Sequence, residues 1–173
     1  MGTHSLMRHR ALLAVAVGVT FLAGGCARYG ASQPRAAPPG RLNDGGVSVA
    51  AVLIAGPGGA GRVQVTFSPR QPGYHLYSIG LPPDGVNGLG IATMVSVRGG
   101  LRLTGSPTAD KPVSALKIEE LHVNLPVYPD GPVTVTVPVR KTRDGRAEVI
   151  VTYAACSATT CLPPVRNRLI TLA

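Results

Sequence analysis

Apolar and polar residues alternate with a period of two along GRVQVTF (61–67) and VTVTVPV (133–139). That period places alternate side chains on opposite faces of a strand, so both runs are half-buried antiparallel strands and neither presents a helical apolar stripe. AEVIVTY (147–153) is equally rich in strand formers, and VSVAAVLIA (47–55), HLYSI (75–79), IATMVSV (91–97), SALKIEEL (114–121) and VRNRLITL (165–172) are further candidates. Between them the chain is broken by glycine and proline, 22 Gly and 16 Pro in 173 residues, which leaves little room for long helices. The clusters at 57–61, 82–90 and 129–132 are predicted turns. Short strands at this spacing predict one all-β domain, an antiparallel β-sandwich. With aromatics at 4% and no Trp, its core must come from Val, Leu, Ile and Ala. A charged fraction of 14% is too low for a coiled coil or a nucleic-acid-binding tail, and 45% apolar residues is too high for wholesale disorder.

The amino terminus differs in composition. Arg8, His9 and Arg10 precede ALLAVAVGVTFLAGG, an uncharged run of 15 residues that is short for a membrane span and reads as a secretory signal peptide over 1–25. It ends in LAGGC, which resembles the bacterial lipobox, with Ala23 at a position where Leu or Val is commoner. Cys26 is therefore expected to be lipidated, making the protein an extracytoplasmic, membrane-anchored lipoprotein of the bacterial cell envelope. The alternative is an ordinary signal peptide with a free cysteine nearby. Loss of Arg8 and Arg10 with the leader takes the formal charge from +9 to +7, which favours anionic lipid headgroups or acidic partners. The basic residues are scattered and the chain is exported, so nucleic acid is not an expected partner. Residues 26–46, with SQPRAAPPG inside them, are predicted to be a flexible tether, leaving 47–173 as the folded domain.

Assigning Cys26 to the anchor leaves Cys156 and Cys161 as a pair that an oxidising compartment can join. Strand-like runs flank them with four residues between, a reasonable hairpin loop, and facing residues at a hairpin end are close enough for a disulfide. Pro163 and Pro164 remove backbone donors just beyond, which predicts that Cys161 sits at an accessible rim.

Tyr153, Cys156, Cys161, Leu162, Pro163 and Pro164, in the pattern Y-x-x-C-x-x-x-x-C-L-P-P, resemble the amino-terminal extracytoplasmic domain of the thiol:disulfide interchange protein DsbD. PGYHLYSIGLP at 72–82 resembles that family's P-G-aromatic-x-x-Tyr strand. EELH at 119–122 resembles its acidic-acidic-aromatic-aromatic cap over the cysteines, with Leu121 and His122 where aromatics are usual. The resemblance implies an immunoglobulin-like sandwich that passes electrons between a membrane-embedded thiol reductase and thioredoxin-like exported proteins. It implies that Cys161 attacks a partner disulfide and Cys156 resolves the mixed disulfide, which agrees with the greater reactivity of an exposed thiolate. His75, Tyr77, Glu119, Glu120, Leu121 and His122 are the implied cap and tuning residues. No membrane-embedded or thioredoxin-like part follows the last strand, so a stand-alone domain is expected to obtain its electrons in trans.

Other readings of the same residues stay open. One joins the cysteines as a structural staple in an envelope binding or assembly module, although a five-residue step closes too small a loop to constrain the unfolded chain much. With His75 and His122 they make an imaginable zinc set, but the sequence shows no metal-type clustering. Met94 is the one methionine beyond the leader, so a methionine-rich copper site is not expected, and no cofactor is implied. Tyr74 and Tyr77 suit either a protein-binding face or the core. Arg140, Lys141, Arg143 and Arg146 form a basic cluster around Asp144, and the D-G step at 144–145 predicts a solvated hairpin turn between the runs at 133 and 147.

Overall fold

A computed structural model describes residues 38–143 and 145–173, so the predicted signal peptide, Cys26 and most of the tether lie outside the described residues. The strands in chain order are β1 (Gly40–Asp44), β2 (Val47–Ala55), β3 (Ala60–Pro69), β4 (His75–Leu76), β5 (Met94–Gly99), β6 (Leu101–Leu103) and β7 (Thr108–Ala109). They continue with β8 (Ser114–Ile118), β9 (Val123–Val127), β10 (Val133–Lys141), β11 (Ala147–Tyr153), β12 (Ala155–Cys156) and β13 (Val165–Thr171). One sheet runs β1-β2-β3-β10-β6, with β7 also on β10, and the second runs β13-β11-β5. β4 pairs with β12 and β8 with β9, and every pairing is antiparallel. The protein is an immunoglobulin-like antiparallel β-sandwich.

The period-two runs build its interior. Val63, Val65 and Phe67 of β3 and Val133, Val135, Val137 and Val139 of β10 are buried, while the residues between them face outward. They pack against Val149, Val151 and Tyr153 of β11 and Ile170 of β13 in one hydrophobic cluster. A one-residue slip in register would turn every one of these side chains to solvent, so the alternation fixes the pairing as well as the strand. Phe67 meets Tyr153 edge to face at 5.3 Å, joining the two sheets. The Tyr153 hydroxyl donates to the Asp44 carbonyl at 3.0 Å, which ties β11 to the outermost strand of the other sheet.

Three expectations need correction. The stretch read as tether to residue 46 contains β1, an edge strand in register with β2. Its only apolar side chain is Leu42, too little to show an alternation in sequence, yet Leu42 packs against the core and Asp44 holds Tyr153. The turn at 142–146 is not a hairpin, because β10 and β11 lie in different sheets. Both edges of β10 are already taken, by β3 on one side and by β6 and β7 on the other. The connection instead crosses between sheets beside Gly100, whose carbonyl accepts from Thr142 N and whose N–H donates to the Arg146 carbonyl. Finally, the run expected as a strand over 114–121 ends at Ile118, and Glu119–Leu121 forms a 3₁₀ turn closed by His122 in the left-handed region (φ 51°).

Candidate functional site

Past Tyr153 the hairpin of β11 and β13 narrows into a loop of its own. Leu162 N donates to the Ala155 carbonyl and Ser157 N to the Thr160 carbonyl, so Cys156 and Cys161 between them form a non-hydrogen-bonded antiparallel pair. That position brings facing side chains closest together. The Cα atoms are 4.0 Å apart, and a Cys156–Cys161 disulfide joins the pair. Ser157 closes the tip: its Oγ accepts from the N–H groups of Thr159 and Thr160 and donates to the Thr160 carbonyl.

The two sulfurs have different surroundings. Cys156 is 3% exposed within a small apolar cluster containing Leu81, Leu125 and Ala154, whereas Cys161 is exposed. The Tyr77 hydroxyl lies 3.4 Å from Cys156 Sγ. A disulfide sulfur carries no proton, so the phenol is the donor. Tyr77 is itself buried, and that burial pushes its pKa above the ordinary 10.0, so the donor keeps its proton across the physiological range.

Pairing of β4 with β12 sets Cys156 opposite His75 and Ala155 opposite Leu76. Leu76 and Tyr74 point into the main core, while His75 and Tyr77 share the other face. His75 is 7% exposed, its ring meets Tyr77 edge-on at 6.3 Å, and its Nδ1 lies 3.4 Å from Asp130 Oδ1. Its Nε2 is buried and makes no hydrogen bond among the described residues.

A cleft of about 380 Å³ opens on the cysteines. Its walls are Tyr77, Ala154, Leu162, Pro164 and Arg166 from the sandwich, and Pro83, Asp84, Leu89, Gly90 and Ile91 from the loop after β4. Gly90 has φ +79°, and a Cβ there would lie 2.9 Å from Leu81 Cδ2 and 3.1 Å from Tyr77 Cε1, so only glycine lets this loop lie on the tyrosine. The opposite wall is braced by the turn between β1 and β2. A side chain at Gly45 (φ +51°) would meet the Pro163 carbonyl oxygen and Val165 Cγ2 at 2.6 Å. Arg168 adds an ion pair to Asp44 at 3.5 Å.

The structure thus gathers Cys156, Cys161, Tyr77 and His75. It does not bring Glu119, Glu120, Leu121 or His122 to the cleft: all four are exposed at the tip of the β8–β9 hairpin. That hairpin reaches the cysteine cluster through its strands, by Val123, Leu125 and Val127. Cover over the pair comes from 83–91 instead, a stretch whose glycines and prolines read as a plain turn. Its sequence signal was Val86, Leu89 and Ile91, apolar residues set among glycines and half-buried in the same cluster. Arg166 and Asp130 gave no signal at all. His75 and His122 stay separate, and among the described residues no group of three His, Cys, Asp or Glu converges. Among these residues, too, no helix is long and apolar enough to cross a membrane.

Fold and site together define an immunoglobulin-like sandwich with a half-exposed disulfide at one end. No family model matches the chain, and no curated protein matches it in sequence. Among solved structures it is similar to the N-terminal periplasmic domain of ScsB from Proteus mirabilis, with a TM-score of 0.53 and 16% identity over 81% of this chain and 51% of that one. The chain therefore spans about half the length of that structure. The likeness is one of fold. Two looser overlaps are with the reduced N-terminal domain of DsbD from Neisseria meningitidis (TM-score 0.41, 20% identity, 64% of this chain and 82% of that one) and with the GAE domain of GGA2p from Saccharomyces cerevisiae (0.42, 9%, 78% and 96%).

Proposed function

We propose that this domain performs extracytoplasmic thiol:disulfide exchange through Cys156 and Cys161. One observation carries the reading: the disulfide is asymmetric, with an exposed sulfur facing a cleft and a buried sulfur held by a phenol. In the reduced protein the Cys161 thiolate attacks one sulfur of a partner disulfide, forming a mixed disulfide and expelling the other partner sulfur as a thiolate. Cys156 then gives up its proton and attacks Cys161 Sγ, which releases the second partner thiolate. The protein ends with the Cys156–Cys161 disulfide, and the partner has gained two electrons and takes up two protons from water. The Tyr77 hydroxyl stabilises Cys156 whenever it is a thiolate. His75 stands beside it as a positioning residue.

Partners in this reading are a membrane-embedded thiol reductase as electron source and thioredoxin-like exported proteins as acceptors. A signal peptide over 1–25 and a lipid on Cys26 would hold the domain at the bacterial envelope. Redox titration is the test. A midpoint within the range of exchange proteins, above about −300 mV, is expected, and a pair that stays oxidised below that value is a structural staple. With Cys156→Ser, a mixed disulfide through Cys161 should accumulate with a disulfide-bonded partner, and with Cys161→Ser it should not.

A further inference from the structure

The end of the sandwich farthest from the cysteines is strongly basic. β10 finishes there with Arg140 and Lys141, and Arg143 and Arg146 follow in the crossing to β11; all four are exposed. Register sets Arg140 directly opposite Arg102 of β6, two like charges on one face of neighbouring strands. Such a pair is destabilising by itself, and Arg140 offsets part of that by donating to the Gly58 carbonyl at 2.9 Å. Arg62 of β3 is exposed on the same outer face, one strand away. Among the described residues none of these six makes an ion pair, and the nearby Glu148 is taken by Arg98 at 2.7 Å. Asp144 is the one acidic residue of the 140–146 segment.

The chain enters the fold toward this same end. A Cβ on Gly40, the first residue of β1, would meet the Thr171 carbonyl oxygen at 2.6 Å and Leu172 Cδ2 at 3.4 Å. Thr171 and Leu172 line one depression together with Lys141 and Arg146. From Ala147 in this depression, β11 and β12 run to Cys156, nine residues on and so up to about 30 Å away at 3.3 Å per residue. The described chain therefore begins at the basic end and away from the disulfide.

We infer that this end is a docking surface for an anionic phospholipid bilayer, seated on the headgroups by Arg102, Arg140, Lys141, Arg143 and Arg146. The inference rests on the envelope location in the proposed function. It adds an orientation: the domain stands on its basic end, with the Cys156–Cys161 cleft facing away from the bilayer toward soluble partners. If Cys26 carries a lipid, only 14 positions of sequence separate the anchor from Gly40 at the basic end.

Residues 33–173 form a separate compact unit that contains both hydrophobic clusters whole, so this fragment can be tested without leader or anchor. Its partition onto sedimented vesicles would be measured with about 40% phosphatidylglycerol in phosphatidylcholine and with phosphatidylcholine alone, at low and high salt. Binding to the anionic vesicles alone, lost at high salt, is expected. Each basic residue near a charged membrane is worth roughly fivefold in affinity, so reversal of four (Arg140→Glu, Lys141→Glu, Arg143→Glu, Arg146→Glu) should weaken binding at least about a hundredfold. Reversal of the exposed Lys111 and Lys117, which lie elsewhere, should leave it within about twofold. The milder Arg140→Gln, Arg143→Gln variant covers the case in which the fourfold variant does not fold, and should lose roughly tenfold or more. Equal binding to neutral vesicles, no binding at low salt, or retention by the reversed variants would overturn the inference. Capture by polyglutamate but not by vesicles would overturn it in favour of an acidic protein. Thiol exchange by the same fragment in solution is a separate readout, so failure to bind lipid leaves the redox reading standing and the reverse also holds.

Discussion

Replacing Tyr77 by Phe removes one oxygen and tests how the buried sulfur is controlled. The phenol lies 3.4 Å from Cys156 Sγ, and when Cys156 becomes a thiolate this contact turns into a charge-assisted hydrogen bond inside an apolar cluster. Hydrogen bonds to charged groups contribute about 1.5–3 kcal/mol, and the long contact to sulfur argues for the lower end, about 1.5 kcal/mol. At about 1.4 kcal/mol per unit, the Cys156 pKa should rise by about one unit in Tyr77→Phe. The thiolate fraction below that pKa then falls about tenfold. A more basic thiolate is also more nucleophilic, by a little under half a logarithmic unit per pKa unit, so resolution of the mixed disulfide should slow about three- to fourfold. The assay is the pH dependence of the Cys156 ¹³Cβ chemical shift in a reduced Cys161→Ser background, with and without Tyr77→Phe. A midpoint that moves by less than about 0.3 unit, or that moves down, would refute the idea that the phenol stabilises the buried thiolate.

Three other perturbations probe the frame around the site. Tyr153 is fully buried, and burial first, then the Asp44 carboxylate, push its pKa up to about 12 against the opposing effect of Arg168. A raised folded-state pKa means the folded protein holds its proton more tightly, so this contribution is complete below pH 10 and is lost as pH rises toward about 12. It is worth about 2 kcal/mol, and denaturant titrations from pH 9 to 12 should show a stability loss in the parent that is absent in Tyr153→Phe, which is itself about 1 kcal/mol weaker at pH 7. Gly90→Ala forces a Cβ between Leu81 and Tyr77 at a left-handed backbone position, so we expect a loss of about 1–3 kcal/mol in chemical denaturation and faster proteolysis within 83–91. Leu76 is fully buried in the main core, between His75 and Tyr77 in the chain, and Leu76→Ala should cost about 2–5 kcal/mol, seen as a drop in Tm together with loss of hydrogen-exchange protection at Cys156 N.

The three strongest strands, β3, β10 and β11, were readable from residue pattern because alternation and β-branching are properties of neighbours in the chain. The half-exposed cysteine loop was readable for a similar reason: its hairpin spacing, and the two prolines that end its pairing, are local. β1, β6 and β9 were not, since a strand with one apolar residue, with three residues in all, or with Pro126 inside it gains its stability from the sheet it joins. The destination of β10 and β11 was also out of reach, because a D-G step reports a turn and says nothing about which sheets the turn connects.

What covers the cysteines depends on contacts between distant parts of the chain. Tyr77 reaches Cys156 across 79 residues, and their meeting requires β4 to pair with β12 at the end of the sandwich. Once that pairing is made, the loop after β4 lies over the pair, and the β8–β9 hairpin contributes its apolar strands while its acidic tip stays in water. The gathering of the basic end has the same origin, because Arg62, Arg102 and Arg140 come from three strands and become neighbours only by register. Strand identity, turn positions and the cysteine pair thus follow from short-range sterics and hydrophobic periodicity. The neighbours of each sulfur, and the charge of each end, follow from how the sheets close around a shared core.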